Sequence, residues 1–114
     1  MANEQNPTNM IEERRVALHM KLCETLGNNK GVYYQPPESL KLQIPCITYE
    51  LENIYADNAD NLVYTRHIKF RICVIDSDPA SIIADKVSTL NASVRFIRHF
   101  NSNGLSHYIY TITY

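Results

Sequence analysis

Two runs of alternating apolar and polar residues near the middle of the chain predict two β-strands. The longer run, residues 64–75, alternates apolar side chains with basic ones, which a strand places on opposite faces of a sheet. The shorter run, residues 46–53, has the same period and carries acidic residues on its polar face. Together the two runs predict a sheet with one buried and one charged face.

The apolar faces of these strands align in one antiparallel register around a predicted loop, residues 55–62. In that register Glu50 opposes Lys69 and Glu52 opposes His67. Opposite charges that face each other across a ladder contribute about 0.2–1 kcal/mol per pair. We therefore expect a largely neutralised polar face that meets solvent or another subunit.

A helical pattern precedes these strands. Apolar residues recur on one face of Met10–Leu26, which Asn9 can cap and Gly27 can end in the left-handed conformation. Residues 1–8 are polar and are predicted to be a flexible arm. Residues 9–114 are predicted to form one domain, since this length is typical of single domains.

Two further elements are predicted from the residues at their ends. Residues 31–35 have the composition of a short strand, which Pro36 ends because proline cannot continue a ladder. Residues 79–90 are predicted to form a helix that Asp78 caps, with Pro79 as its first residue. The apolar residues of this helix are expected in the core: Ile82, Ile83, Val87 and Leu90.

The last two predicted strands, residues 93–100 and 106–114, are joined through an Asn-Gly pair, which favours a tight hairpin turn. The aromatic residues of the first of these strands are expected in the core: Phe96 and Phe100. The order of elements is then α-β-β-β-α-β-β. It predicts an α+β fold with two helices packed on a mostly antiparallel sheet of about five strands.

Charge and length exclude several classes of protein. Eleven basic and twelve acidic residues give a net charge of −1, whereas a domain built to grip nucleic acid typically has a pI above about 9. No apolar run approaches the roughly 18 residues of a membrane span, and the N-terminus lacks a signal-peptide pattern. We therefore expect a cytosolic protein that does not span a membrane.

Neither catalysis nor metal binding is predicted. The four histidines have no partners at the spacing of a metal site or catalytic triad. The three cysteines are far apart and include no Cys-x-x-Cys pair. We therefore expect no enzyme activity, cofactor or metal, and reduced, structural thiols at Cys23, Cys46 and Cys73.

Tyrosine and arginine are enriched at protein–protein contacts, and both occur near the predicted hairpin loop or in the following strands. With the acidic loop, they give the candidate assembly residues: Tyr55, Asp57, Asn58, Asp60, Tyr64, Arg95 and Arg98. Tyrosines can equally pack in a core with their hydroxyls in water. Residues 95–100 also mix cations with aromatics as single-strand binders do, although the near-neutral charge disfavours that reading.

Segments spread over residues 31–114 resemble, in order and spacing, the tail terminator or tail completion proteins of tailed bacteriophages. The matching segments are residues 44–51, Ala56-Asp57-Asn58, residues 74–79, Asp85-Lys86-Val87, Arg98-His99-Phe100, and Leu105 with His107. Two positions depart from the family pattern. Ala80-Ser81-Ile82 replaces a polar Asp-Ser-Glu, and Ile97 replaces an acidic residue.

The resemblance implies a virion structural subunit without catalytic activity, assembled in the host cytoplasm. In this family the subunit forms a ring, typically a hexamer, which caps the head-proximal end of the tail tube and offers the head a joining surface. The implied partners are other copies, the tube protein, the sheath protein and a head-completion or connector protein. Genomic DNA would pass through the lumen without sequence-specific contact, and no membrane partner is implied.

An extended hairpin over residues 53–66 is expected to reach a neighbouring subunit or the tube. Two other functions stay open at this point. A head-completion or connector stopper ring would have similar size and composition, and a nucleic-acid-binding β-module would use the cations of the later strands.

Overall fold

The computed structural model describes residues 9–59 and 63–114, so the predicted arm lies outside the described residues. Five strands form one sheet in the order β1-β2-β3-β5-β4, with β1 parallel to β2 and the other neighbours antiparallel. The α+β prediction and the order of elements are confirmed. The bounds are α1 Met10–Leu26, β1 Val32–Tyr34, β2 Cys46–Ala59, β3 Val63–Asp76, α2 Ile82–Val87, β4 Arg95–Ser102 and β5 Leu105–Thr113.

Helix α1 begins and ends where its sequence predicts. The side chain of Asn9 accepts a hydrogen bond from the Glu12 backbone N–H at 3.2 Å. Gly27 takes the left-handed conformation with a φ of 95°, and its N–H donates to the carbonyl of Cys23. Both ends of the helix thus satisfy backbone groups that would otherwise lack partners.

Both helices contribute to one core on the same face of the sheet, which we call the helix face. Leu18 and Leu22 of α1 are fully buried there, together with Ala84 and Val87 of α2. Alternate residues of the three central strands complete this core: Ile47, Tyr49, Ile68, Phe70, Ile72, Val74, Tyr110 and Ile112. The opposite face, which we call the open face, carries charged residues of three strands: Glu50, Lys69, Arg71, Arg95 and Arg98.

The predicted register of the central hairpin is wrong by two residues up to Leu51 and by three from Asn53 onward. Glu50 faces Arg71, not Lys69, and Tyr55 faces His67. Alternation fixes which face a residue occupies, but a slip of two residues preserves that face, so the pattern alone could not choose between registers. The predicted loop at residues 55–62 is also wrong, because β2 continues to Ala59.

An irregularity after Leu51 interrupts the pairing of β2 with β3. Glu52 has no register partner there, and its carboxylate binds the Arg71 guanidinium, with one nitrogen–oxygen distance of 2.8 Å. The bulge twists the strand locally and redirects its outer half. The expected charge neutralisation therefore holds around Arg71, although with different partners.

Helix α2 is shorter than predicted, and Asp78 does not cap it. Ser81 is the cap, because its hydroxyl accepts the Ala84 backbone N–H at 3.1 Å. The carboxylate of Asp78 instead accepts the N–H of Ala80 in the preceding turn. Ile82, expected in the core, is 68% exposed because it lies on the outer side of this short helix.

The final hairpin turns at Asn103 and Gly104, both with positive φ, as the Asn-Gly pair predicts. The expected burial of β4 is wrong, however. Phe96 is 58% exposed and Phe100 is half-buried. β4 is the edge strand, and α2 reaches only as far as β5, where its Ala84 carbonyl accepts the Tyr110 hydroxyl.

We expect the Leu22→Ala substitution to lower the free energy of unfolding by about 2–5 kcal/mol, because it leaves a cavity beneath α1. Met20→Ala on the same helix is the control, since Met20 is 66% exposed and should change stability by less than about 0.5 kcal/mol. Urea unfolding of both variants measures the difference. Equal losses would contradict the orientation of α1.

Candidate assembly surfaces

The outer halves of β2 and β3 form a two-stranded ribbon that extends beyond the sheet. β1 pairs with β2 only as far as Tyr49, and β5 pairs with β3 only from Lys69 onward. Residues 53–59 and 63–68 therefore pair with one another, with one further bond at the base from the Tyr114 N–H to the Ile68 carbonyl. At about 3.3 Å per residue, the ribbon is about 20 Å long.

An isolated pair of strands is only marginally stable in water. The ribbon carries two neighbouring exposed apolar side chains near its base, Ile54 and Tyr55, which are 38% and 42% exposed. The Tyr55 ring stacks on the His67 imidazole, with ring centroids 4.9 Å apart. The candidate assembly residue Tyr55 thus lies on a projecting element that neither β1 nor β5 flanks.

The other candidate residues near the hairpin tip are placed by register alone. Asp57 lies opposite Thr65 and Asn58 lies opposite Tyr64, all within the ribbon. Asp60 lies outside the described residues. The sequence therefore located the projecting element correctly but described its strand portion as a loop.

A second exposed surface lies on the edge strand β4. Its consecutive apolar residues Phe96 and Ile97 are 58% and 45% exposed, and the pairing with β5 is irregular between Phe96 and Arg98. Arg95 donates to the backbone carbonyls of Ala92 and Val94, while the Arg98 guanidinium lies 4.7 Å from the centre of the Phe100 ring. We call Arg95, Phe96, Ile97 and Arg98 the β4 patch.

The structure does not bring the two groups of candidate residues together within one chain. The ribbon extends from β2 and β3, whereas the β4 patch lies at the sheet edge and is separated from β3 by β5. The exposure of three apolar residues was not predicted from the sequence: Ile54, Phe96 and Ile97. The adjacent pair Phe96-Ile97 breaks the alternation of its strand, and this was the signal for a bulged, exposed edge.

The two tyrosines of β5, Tyr108 and Tyr110, make hydrogen bonds within the folded chain. The Tyr110 hydroxyl is buried and donates to the Ala84 carbonyl at 3.0 Å, and the Tyr108 hydroxyl donates to the Pro79 carbonyl. Both tyrosines therefore anchor α2 and its preceding turn to β5. Tyr49 is also buried, which leaves Tyr55 as the candidate whose described side chain faces outward.

A polar cluster lies where α1 crosses β2. The Tyr49 hydroxyl is 2.7 Å from His19 Nδ1 and 3.3 Å from an Arg15 guanidinium nitrogen. Burial lowers the pKa of His19, and the positive charge of Arg15 lowers it further. Burial also raises the pKa of Tyr49. The tyrosine hydroxyl therefore stays protonated beside a neutral imidazole with which it shares a hydrogen bond, while Arg15 donates to the tyrosine oxygen.

This cluster links α1 to β2 through the Tyr49 hydroxyl. Its histidine is neutral in the folded protein at a pH where the unfolded chain, with a pKa near 6.5, already binds a proton. The stabilisation is thus present above the unfolded pKa and is lost as the pH falls from about 6.5 toward the lower folded value.

We expect Arg15→Gln to raise the pKa of His19, because it removes a neighbouring positive charge. The loss of stability below about pH 6.5 should then be smaller than in the unmodified protein. Titration of the His19 ring by NMR and urea unfolding at several pH values measure both effects, with Arg95→Gln as the control. An unchanged His19 pKa would show that Arg15 does not act on the imidazole.

No group of three or more histidine, cysteine or acidic side chains is placed to hold a metal within residues 9–59 and 63–114. Burial raises the pKa of Cys46 and Cys73 to about 11 each, so both thiols stay protonated and unreactive. In the described part of the chain, no helix is long and apolar enough to cross a membrane.

Several segments that carry the sequence resemblance meet at the end of the sheet opposite the ribbon. Cys46, Ile75, His107 and Phe100 stand side by side in one row across β2, β3, β5 and β4. The Phe100 ring stacks on His107 with centroids 4.6 Å apart. Residues from these matching segments are thus neighbours across four strands at that end of the sheet.

Comparisons with known proteins give a distant structural likeness. No family model matches the chain, and no curated protein matches it. A solved structure described as the virion of a native gene transfer agent particle contains a chain with 13% identity and a TM-score of 0.41. The match covers 86% of this chain and 90% of that one. The likeness is to a virion component, and it is too remote to indicate a function by itself.

Proposed function

We propose that the chain is a virion structural protein, the tail terminator or tail completion subunit, and not an enzyme. Six copies would form a ring that caps the head-proximal end of the tail tube, stops its polymerisation and provides the surface for joining the head. Its partners would be the tube protein, the sheath protein in a contractile tail, and a head-completion or connector protein. Genomic DNA would pass through the ring without sequence-specific contact.

The observation that carries this proposal is the ribbon, residues 53–59 and 63–68, which projects beyond the sheet and, among its described side chains, contributes only Ile68 at its base to the buried core. A closed ring needs two different surfaces on each subunit, one that reaches out and one that receives. The ribbon is suited to the first role. The resemblance of residues 31–114 to tail terminator proteins is the reason for proposing that this ring is a tail terminator.

A connector stopper ring on the head side of the neck is the main alternative, because it also needs a projecting element. A nucleic-acid-binding module is less well supported. The Phe100 ring already contacts both the Arg98 guanidinium and the His107 ring. It is therefore occupied within the chain, whereas base-binding platforms offer free aromatic faces.

Electron microscopy of the purified protein tests the proposal first: we expect rings of uniform diameter in negative stain. Co-purification then separates the two neck positions. The tail terminator should bind tube protein and leave portal protein in the unbound fraction. Preferential binding of portal protein would favour the stopper ring. Binding to a generic oligonucleotide that weakens steeply with salt, without rings, would favour the nucleic-acid module.

We expect removal of the ribbon to abolish assembly without unfolding the subunit. Replacing residues 56–66 with Asn-Gly joins Tyr55 to His67, which already face each other in the ladder, through a two-residue turn. The shortened protein should unfold cooperatively but stay monomeric by light scattering. Replacing Asn103-Gly104 with Asp-Gly, a conservative change in the other hairpin, is the control. Rings of normal size from the shortened protein would contradict the assembly role of the ribbon.

A further inference from the structure

A bulge in the edge strand β4 places two arginines on the same face of the sheet. In a regular strand, residues three apart point to opposite faces. In β4, however, Arg95 and Arg98 share the open face, because the ladder gains an extra residue between Phe96 and Arg98. Their partners on β5 are Thr111 and Ile109, which alternate along that strand. Bulges that redirect a side chain in this way are over-represented next to functional sites.

The three described arginines of the open face differ in how many of their donors are in use. Arg71 holds the Glu52 carboxylate through two nitrogens, at distances of 2.8 and 3.2 Å. One nitrogen of Arg95 donates to two nearby backbone carbonyls. Within residues 9–59 and 63–114, no group accepts a hydrogen bond from the exposed Arg98. All five N–H donors of the Arg98 guanidinium are thus available to a partner from outside the described chain.

The Arg98 guanidinium is held in place by a stack of rings. It lies 4.7 Å from the centre of the Phe100 ring, which stacks on the His107 imidazole with centroids 4.6 Å apart. The His107 ring is positioned in turn, because its Nδ1 lies 3.2 Å from the Leu105 carbonyl oxygen. A guanidinium stacked on a ring keeps its in-plane N–H groups free for a bidentate pair with a carboxylate. We call Arg98, Phe100 and His107 the Arg98 stack.

The surroundings of the Arg98 stack contain cations and an apolar side chain but few acids. Neither β4 nor β5 contains an acidic residue. In the row of residues that includes Arg95, the first carboxylate belongs to Glu50 on β2, three strands away and about 14 Å distant. Ile97, next to Arg98 in the chain, is 45% exposed. A carboxylate from a partner would therefore meet no competing acid in these two strands.

We propose that the open face of β4 binds an acidic segment of a partner protein, with Arg98 as the anchor for one carboxylate and Arg95 as a second cation. Arginine and aromatic side chains in such clusters are typical of the residues that contribute most to protein–protein affinity. A phosphate backbone is the weaker match, because nucleic-acid binding relies on many cations and this chain has a net charge of −1. The inference goes beyond the proposed function, since this contact does not require a ring.

Fluorescence polarisation with a labelled peptide tests this inference on the full chain. The probe is a peptide in which valine and glutamate alternate, and its matched control has glutamine at each glutamate position. We expect the glutamate peptide to bind, and to bind more weakly as salt rises. The glutamine peptide should bind at least about tenfold more weakly, because it cannot form a charge-assisted pair. Equal binding of the two peptides, or no binding of either, would overturn the proposal.

Variants of the full chain identify the anchor. Arg98→Gln should weaken binding of the glutamate peptide by at least about tenfold. Arg98→Lys keeps the charge but loses the planar, bidentate geometry, so it should also weaken binding. Lys86→Gln is the matched control, because it removes an exposed cation of α2 on the helix face and should leave binding unchanged. Thermal unfolding checks that each variant folds, which we expect because all three substitutions are at exposed positions.

Three results with these variants would contradict the inference. Full binding by Arg98→Gln would show that this side chain is not the anchor. Full binding by Arg98→Lys would show that charge alone acts and that the Arg98 stack has no role. An equal loss in Lys86→Gln would indicate non-specific attraction of an acidic peptide to the whole chain.

Two further measurements separate this inference from its neighbours. A single-stranded oligonucleotide that displaces the peptide at equal concentration would indicate a phosphate site and would overturn the proposal. Negative-stain images of the same protein report independently on the proposed function. Rings without peptide binding would leave the ring in place and remove the acidic-segment site, whereas peptide binding by a protein that forms no rings would do the opposite.

Discussion

The long antiparallel pairing of β2 with β3 is the interaction on which the rest of the structure depends. It sets which residues face the helices, because Ile47, Tyr49 and Leu51 share that face with Val74, Ile72 and Phe70. β1 joins this pair through β2, β5 joins it through β3, and β4 joins the sheet through β5. A shift of one residue would turn the apolar side chains of one strand away from the core that the other strand faces.

The same pairing separates the part of the molecule that stabilises the fold from the part available for assembly. Near Cys46 and Ile75, the two strands are flanked by neighbours and covered by the helices. Beyond Leu51, the neighbours end, the ladder bulges, and the ribbon continues alone. Substitutions in the ribbon are thus expected to spare the core, which is the property a protein needs if one element is to bind a neighbouring subunit.

Local signals in the sequence predicted a large part of the fold. Asn9 and Gly27 bound α1, and the Asn-Gly pair sets the final turn, because each acts through backbone groups only a few residues away. Alternation also identified the apolar faces of β2 and β3. The register of those strands was not predictable in this way, since a slip of two residues preserves the pattern and the bulge at Glu52 leaves no local signal.

The remaining errors arise from tertiary context. Phe96 and Ile82 are apolar enough for a core, but β4 lies beyond the reach of α2, and Ile82 faces away from the sheet. The start of α2 depended on a competition between two capping residues. The carboxylate of Asp78 accepts the Ala80 N–H in the turn that precedes the helix, and the Ser81 hydroxyl caps α2 instead. The candidate assembly residues were identified by composition, and their separation onto two surfaces became visible only in the folded chain.

The central claim is that this chain caps one end of a tail tube. Electron microscopy of purified tail tubes incubated with gold-labelled protein tests it most directly. We predict label at a single end of each tube and no further growth at that end when tube protein is added. Label along the tube wall, or continued growth at the labelled end, would contradict the assignment as a tail terminator.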